Sequence, residues 1–371
     1  MRRSLITLPA IAALVIAMAG CSAGAQPTAS PTETPTASPT PTEEPKEYAP
    51  LTGVEVEPGG LTRPAMAAKI DNHVDARPQI GLDKTDIVFE ELVEGGLTRY
   101  VAVWHSQLPK TYGPIRSIRP MDPDIVSPFG GMITYSGGQQ KFITMMQNTN
   151  VLNIIHGQSG TADTIYRIDS KIAPHNVVVK AQVVNKQHDD LAAPMPAFSF
   201  AAALAEATAV TDGTATKGAV VTFDSPSTPK WKWSAEKSAW VRFQTGGAID
   251  TDFNGVQLQA TNVIVQRVKE THEHGYVPRA NVVGYGTAWI FTGGKYIEAK
   301  WEKKDRESFT TYTIKATGEV VTSAPVRRAA RSEPRAEAPA APRMIEAPPR
   351  QPAPLEMDGI SPEEANPAPQ L

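Results

Sequence analysis

The 371-residue chain has a single cysteine, Cys21, which leaves its folded part neither a disulfide framework nor a cysteine–histidine hydrolase pair. After the first twenty residues no apolar run approaches the ~20 residues needed to cross a bilayer, so the remainder reads as soluble. Charge of one sign is also missing. The 36 basic and 39 acidic side chains give a formal net charge of -3, which argues against a general nucleic-acid binder. The phosphate-cradling G-x-x-x-x-G-K-[ST], the metalloprotease H-E-x-x-H and the nucleophile elbow G-x-S-x-G are absent, although "GQSG" at 157–160 comes near the last. We therefore expect no cofactor and no assigned metal site.

What is present begins with "MRRSLITLPAIAALVIAMAGC": two arginines, an apolar run, then small residues before Cys21. This is the pattern of a secretory signal over 1–20. Met18-Ala19-Gly20-Cys21 resembles the bacterial lipobox, which implies lipidation of Cys21. Residues 24–49 are Pro, Thr, Ser and Glu with little to bury, so 21–50 reads as a lipidated residue followed by a disordered, semi-rigid tether. The expected location is the outer face of the cytoplasmic membrane, held there by lipid.

Two modest domains fit the next stretch by length. In 51–195, "TDIVFEELVEGGLTRYVAVWHS" reads as strand, Gly95-Gly96 turn, strand. "GGMITYSG" and "NVLNIIHG" add strands or buried helix turns, and "QQKFITMMQNT" is a helix by the spacing of Phe142, Met145 and Met146. A helix over Ala197–Ala209 and a linker fill 196–217. From 218 to 325 the alternating runs "AVVTF", "KWKWS", "AWVRFQ", "TNVIVQRV", "TAWIFTGGKYIEAKW" and "FTTYTIKATGEVVT" predict a smaller, mostly antiparallel β domain. "THEHG" at 271–275 would set His272 and His274 on one face of a strand, but without a third ligand it reads as an exposed loop. Residues 326–371, rich in Ala, Pro, Arg and Glu, read as a disordered tail.

Three stretches carry a resemblance: "KIDNHVDARPQIGLDKTDIVFEELVEGGLTRYVAVWHS", then "GPIRSIRPMDP", then "APHN" at 173–176. With the later "NVIVQRV", "GYGTAWIF" and "GGKYIEAKW", they resemble the YerB-like lipoproteins, a family catalogued as a domain of unknown function. "RSIRPMDP" looks like the variant of actinobacterial relatives. The resemblance implies a mixed α/β fold, layered as a β-β-α sandwich in the N-terminal domain, and brings no established activity. It stops near Thr322, where the family continues into a last strand. Either the tail is a natural extension or a shifted reading frame has replaced that strand, which would leave a sheet edge unpaired.

Inside these motifs stand Asp71, Asn72, His73, Arg77, Glu90, Glu94, Arg99, Arg116, Arg119, His175 and Asn176. Pro114 and Pro120 stiffen the loop that presents Arg116 and Arg119, and forked guanidiniums suit carboxylate or phosphate groups. Asn72, His73, Arg77, Arg99, Arg116, Arg119, His175 and Asn176 are the candidate ligand-binding residues. Glu90 and Glu94, four apart, are expected to share a face, and with His175 they are the candidate catalytic groups. His73 and His175 could equally be a base, a metal pair or hydrogen-bonding anchors. The same charges could instead form an internal ion network. Two function classes stay open: a binding or scaffolding lipoprotein for an anionic envelope component (peptidoglycan, teichoic acid) or an envelope protein, and a wall-active hydrolase or transferase.

Overall fold

Residues 46–223 and 227–326 are described by a computed structural model. The signal peptide over 1–20, lipidation at Cys21, the tether as far as 45 and the tail from 327 lie outside the described residues. The described residues from Lys46 to Val326 form one packed unit. The described residues thus start inside the expected tether, where β1 (Glu47–Tyr48) pairs antiparallel with β2 (Glu55–Val56) and buries Ala49 and Leu51 in the turn between them.

The sequence "MAAKID" makes β3 (Met66–Asp71), every residue of which is buried, because it lies at the centre of a five-stranded mixed sheet. Around it stand β4 (Ile87–Leu92), β5 (Thr98–Trp104), β6 (Met132–Tyr135) and β7 (Leu152–Ile155), in the order β4-β5-β3-β6-β7. β3 and β4 run antiparallel to β5, whereas β3, β6 and β7 are mutually parallel. Alternation divides the side chains between two faces. Ala67, Val101, Val103, Ile133 and Tyr135 face α1 (Asp122–Val126) and α2 (Gln140–Gln147), with Phe142 and Met146 of α2 fully buried. Met66, Ala68, Ile70, Tyr100, Trp104 and Met132 face the other way, onto β8 (Ile165–Arg167), β9 (Val177–Val179) and α3 (Ala181–Gln187).

The helix expected over Ala197–Ala209 does not form. The segment is extended until a single 3-10 turn at Leu204–Glu206 and the short α4 (Thr208–Asp212). The reason is tertiary: Ala201 N–H donates to the carbonyl of Ser323 and Ser323 N–H to that of Ser199, so distant backbone takes the bonds a helix would use.

Beyond it, β10 (Thr214–Ala215), β11 (Gly218–Val220), β12 (Lys230–Ser234), β13 (Ala239–Phe243), β14 (Gln259–Ala260), β15 (Asn262–Gln266), β16 (Lys269–His274), β17 (Val277–Asn281), β18 (Gly284–Thr292), β19 (Lys295–Lys303) and β20 (Thr311–Ile314) pair antiparallel throughout. β11-β12-β13-β14 form one sheet; β10-β19-β18-β15 form another, with β20 also on β19. Trp240 of the first meets Phe291 of the second edge to face at 5.8 Å. "THEHG" is strand and turn rather than loop: β16 and β17 make a hairpin closed at Gly275, whose φ of 81° favours glycine. Its polar exposed face hides the strand signal, while Val277 on the return strand is buried in the N-terminal core. The fold is mixed α/β and mostly β.

Candidate functional site

The charged residues of the family-like motifs gather where β3 ends and β5 begins. Asp71 and Arg99 are register partners across those strands, and the loop after Tyr112 crosses beside them, with Arg116 N–H donating to the carbonyl of Lys69 at 2.8 Å. Asp71 is the hub. Its Oδ1 accepts from His73 N–H at 3.0 Å, and its Oδ2 lies 2.6 Å from His175 Nδ1 and 3.2 Å from Arg116 Nε. The imidazoles of His73 and His175 stack with centroids 4.3 Å apart.

Arg119 is claimed by its own surroundings: Nε donates to Glu94 Oε2 at 2.7 Å and Nη1 to the Ile118 carbonyl at 2.8 Å. Burial pushes the Glu94 carboxyl up, but the Arg119 hydrogen bond and charge outweigh it and hold the group below the usual carboxylate range. Among the described residues Arg99 hydrogen-bonds the Ser117 carbonyl at 2.9 Å, and no carboxylate there lies within ion-pair distance of it. Burial, and then the neighbouring guanidiniums of Arg119 and Arg116, pull Arg99 down to about 10. Arg116 keeps 21% of its side chain exposed, and its terminal nitrogens have no acceptor among the described residues. At this corner Arg116 pairs with Asp71 and Arg119 with Glu94, while Arg99 rests on a backbone carbonyl.

The other candidates build this corner rather than face out of it. Asn72 donates to Thr98 Oγ1 at 2.8 Å, and its carbonyl accepts from Arg77 Nη2 at 3.0 Å. Asn176, buried, accepts from Arg167 Nη1 at 2.7 Å and donates to the Ile168 carbonyl at 3.1 Å, which fixes the loop that carries His175. Glu90 and Glu94 do not share a face. Glu90 is paired in register with Tyr100, on the side of the sheet opposite Arg99, and both its oxygens accept from Arg242 Nη2 at 2.7 and 2.8 Å. β4 ends at Leu92, and the turn at Gly95, φ 72°, re-aims Glu94 towards Arg119.

Residues 51–193 match the N-terminal domain, and residues 219–325 the C-terminal domain, of the family described as "Protein of unknown function (DUF3048)". The chain belongs to this YerB-like family. A curated relative, "Putative lipoprotein YerB" of Bacillus subtilis (strain 168), is 33% identical over 138 residues, which are 37% of this chain and 41% of that protein. The crystal structure of the YerB protein from Bacillus subtilis superposes with a TM-score of 0.65 at 22% identity, covering 76% of this chain and 94% of that one, so the two share a fold.

Within this YerB-like frame, three groups escaped the sequence reading. Lys69, fully buried in β3, donates to Asp122 Oδ1 at 2.8 Å and also pairs with Glu91. A lysine at the centre of an all-buried strand was the available signal. Arg242 joins the two family domains, bonding Glu90 of one and Asp250 of the other. Asp75, two residues after His73, has its Oδ2 3.3 Å from His73 Nδ1. The spacing H-x-D in "NHVDA" would have flagged it.

Proposed function

We propose that this chain is a lipid-anchored envelope lipoprotein, held by Cys21 at the outer face of the cytoplasmic membrane, whose N-terminal domain binds an anionic envelope component. Arg99 carries this reading: among the described residues it is a half-buried guanidinium with no carboxylate within ion-pair distance, beside Arg116, whose terminal nitrogens have no acceptor there. Desolvating a charge without a counter-ion is unfavourable, and an incoming carboxylate or phosphate relieves it. Carboxylates of peptidoglycan stem peptides and phosphates of teichoic acids have the required chemistry. The lipobox-like sequence and the lipoprotein name of the Bacillus subtilis relative support the anchor. We also propose 51–195 as a layered β-β-α domain and 218–325 as its β-rich companion. A hydrolase using Glu90 and Glu94 gains no support, since the sheet separates those carboxylates.

Changing Arg99 and Arg116 together to Gln is expected to weaken retention on purified wall fragments by about ten-fold or more, since a charge-assisted hydrogen bond contributes roughly 1.5–3 kcal/mol. The thermal transition stays within a few degrees of wild type. A large drop in stability with unchanged binding per folded molecule would sink the reading. For the anchor, Cys21→Ala should move the protein from the membrane fraction to the soluble fraction; an unchanged distribution in cell fractionation counts against lipidation.

A further inference from the structure

His73, Asp75 and His175 each bring one potential ligand atom within 4.8 Å of the others, although Asp75 is remote in sequence from His175. His73 Nδ1 and Asp75 Oδ2 are 3.3 Å apart, and two ligands at the usual ~2.0–2.1 Å on one tetrahedral zinc ion stand about that far from each other. His175 is prepared for the same task. Its Nδ1 is held by Asp71 Oδ2 at 2.6 Å, so the nitrogen left for a ligand is Nε2. A carboxylate behind an imidazole in this way fixes the tautomer and raises the basicity of the outward nitrogen, as it does behind metal-bound histidines elsewhere.

The local backbone permits closure. His73 caps the 3-10 turn Val74–Ala76, and its bond from Asp75 N–H is long, 3.3 Å, so little is lost when Nδ1 exchanges it for a cation. The side chains of His73 and Asp75 are 33% and 41% exposed, while His175 is 13% exposed, giving one fixed ligand and two adjustable ones.

We propose that His73, Asp75 and His175 bind one divalent transition cation of the zinc type, with Asp71 as the carboxylate behind His175. Two imidazoles and one carboxylate favour a borderline-soft ion over magnesium or calcium, and three protein ligands leave a fourth position for water or an anion. The inference stands on these four residues and does not depend on the anion reading.

The test is titration of the full-length, metal-stripped chain with zinc chloride, in competition with a chromophoric chelator, next to thermal melts of the same samples. One zinc per chain is expected. His73→Ala and Asp75→Asn, both on the exposed turn, should each weaken binding by at least ten-fold without moving the metal-free melt, and Asp71→Asn by about 10- to 100-fold. The double variant His272→Ala and His274→Ala should bind zinc as wild type does. Failure to saturate, zinc binding unaltered in His73→Ala and Asp75→Asn, or loss only in the β16 double variant would each overturn the proposal. Because the readout is zinc alone, failure of the wall-binding reading leaves this result interpretable, and the reverse.

Discussion

Replacing Lys69 by Met is expected to lower the free energy of unfolding by about 3–5 kcal/mol, the usual result of removing one partner from a buried ion pair. Lys69 is wholly buried between Glu91 and Asp122, which are themselves nearly or fully buried, so the variant leaves two carboxylates without a cation inside the sheet–helix core. Urea denaturation at neutral pH reads the loss as a lower midpoint. Combining Lys69→Met with Glu91→Gln and Asp122→Asn should recover a large part of it, since the amide at 122 still offers an oxygen to Arg119 N–H, now 2.6 Å from Asp122 Oδ2. If the single variant melts with wild type, the triad is not holding the core. The same lysine sets a pH signature. Burial pulls it down to about 8 against the opposing attraction of Asp122. The unfolded chain then binds the extra proton between pH 8 and the ordinary lysine value, so this group makes stability rise with pH across that window. The Lys69→Met variant should lack that rise.

Arg242→Met is expected to cost a similar amount, about 3–5 kcal/mol, and to loosen the junction between the two family domains. The guanidinium is 4% exposed and bonds Glu90 and Asp250, and it also lies over the rings of Tyr100 and Trp231 at 5.5 and 5.7 Å. Burial alone would lower its affinity for protons, but Glu90 and Asp250 more than reverse this, so the charge is secure at any ordinary pH. Arg242→Lys keeps the charge and loses the fork, and should fall between wild type and Arg242→Met. Limited proteolysis is the second readout: faster cleavage between residues 196 and 217 is expected in the Met variant. Wild-type cleavage rates and an unchanged melt would show that other contacts, such as Gly81 N–H to Asp252 Oδ2 at 2.8 Å, suffice for the junction.

What the sequence made legible was local. The run "RYVAVWH" and the Gly95-Gly96 turn specify β4 and β5, and the spacing of Phe142 and Met146 specifies α2, because in each case the signal is written in one short stretch. The Ala-rich run after 197 misled, since its backbone bonds are made with residue 323, which no window around 197 contains. Charge partners were hidden for the same reason. Glu90 finds Arg242 and Asp71 finds His175, at separations in sequence that only the packed chain closes. That the motif arginines lie near Glu94 and Asp71 was within reach; which of them keeps spare donors depended on the register of β3 with β5 and on where β4 stops.

The segment 320–326 stitches the described chain shut. Val320 bridges to Thr313, Ser323 to Phe200, and Val326 N–H donates to the Thr52 carbonyl at 2.8 Å. The contacts of Ser323 with Phe200 and of Val326 with Thr52 close long loops, which cost the most entropy to bring together, and form late. A nascent chain therefore cannot finish the fold while residues 320–326 are still inside the ribosome, however complete the sheet of β3 to β7 already is. Until then Thr52, Ser199 and Ala201 lack these backbone partners, and the first and last described segments stay unjoined however well the sheet between them is formed.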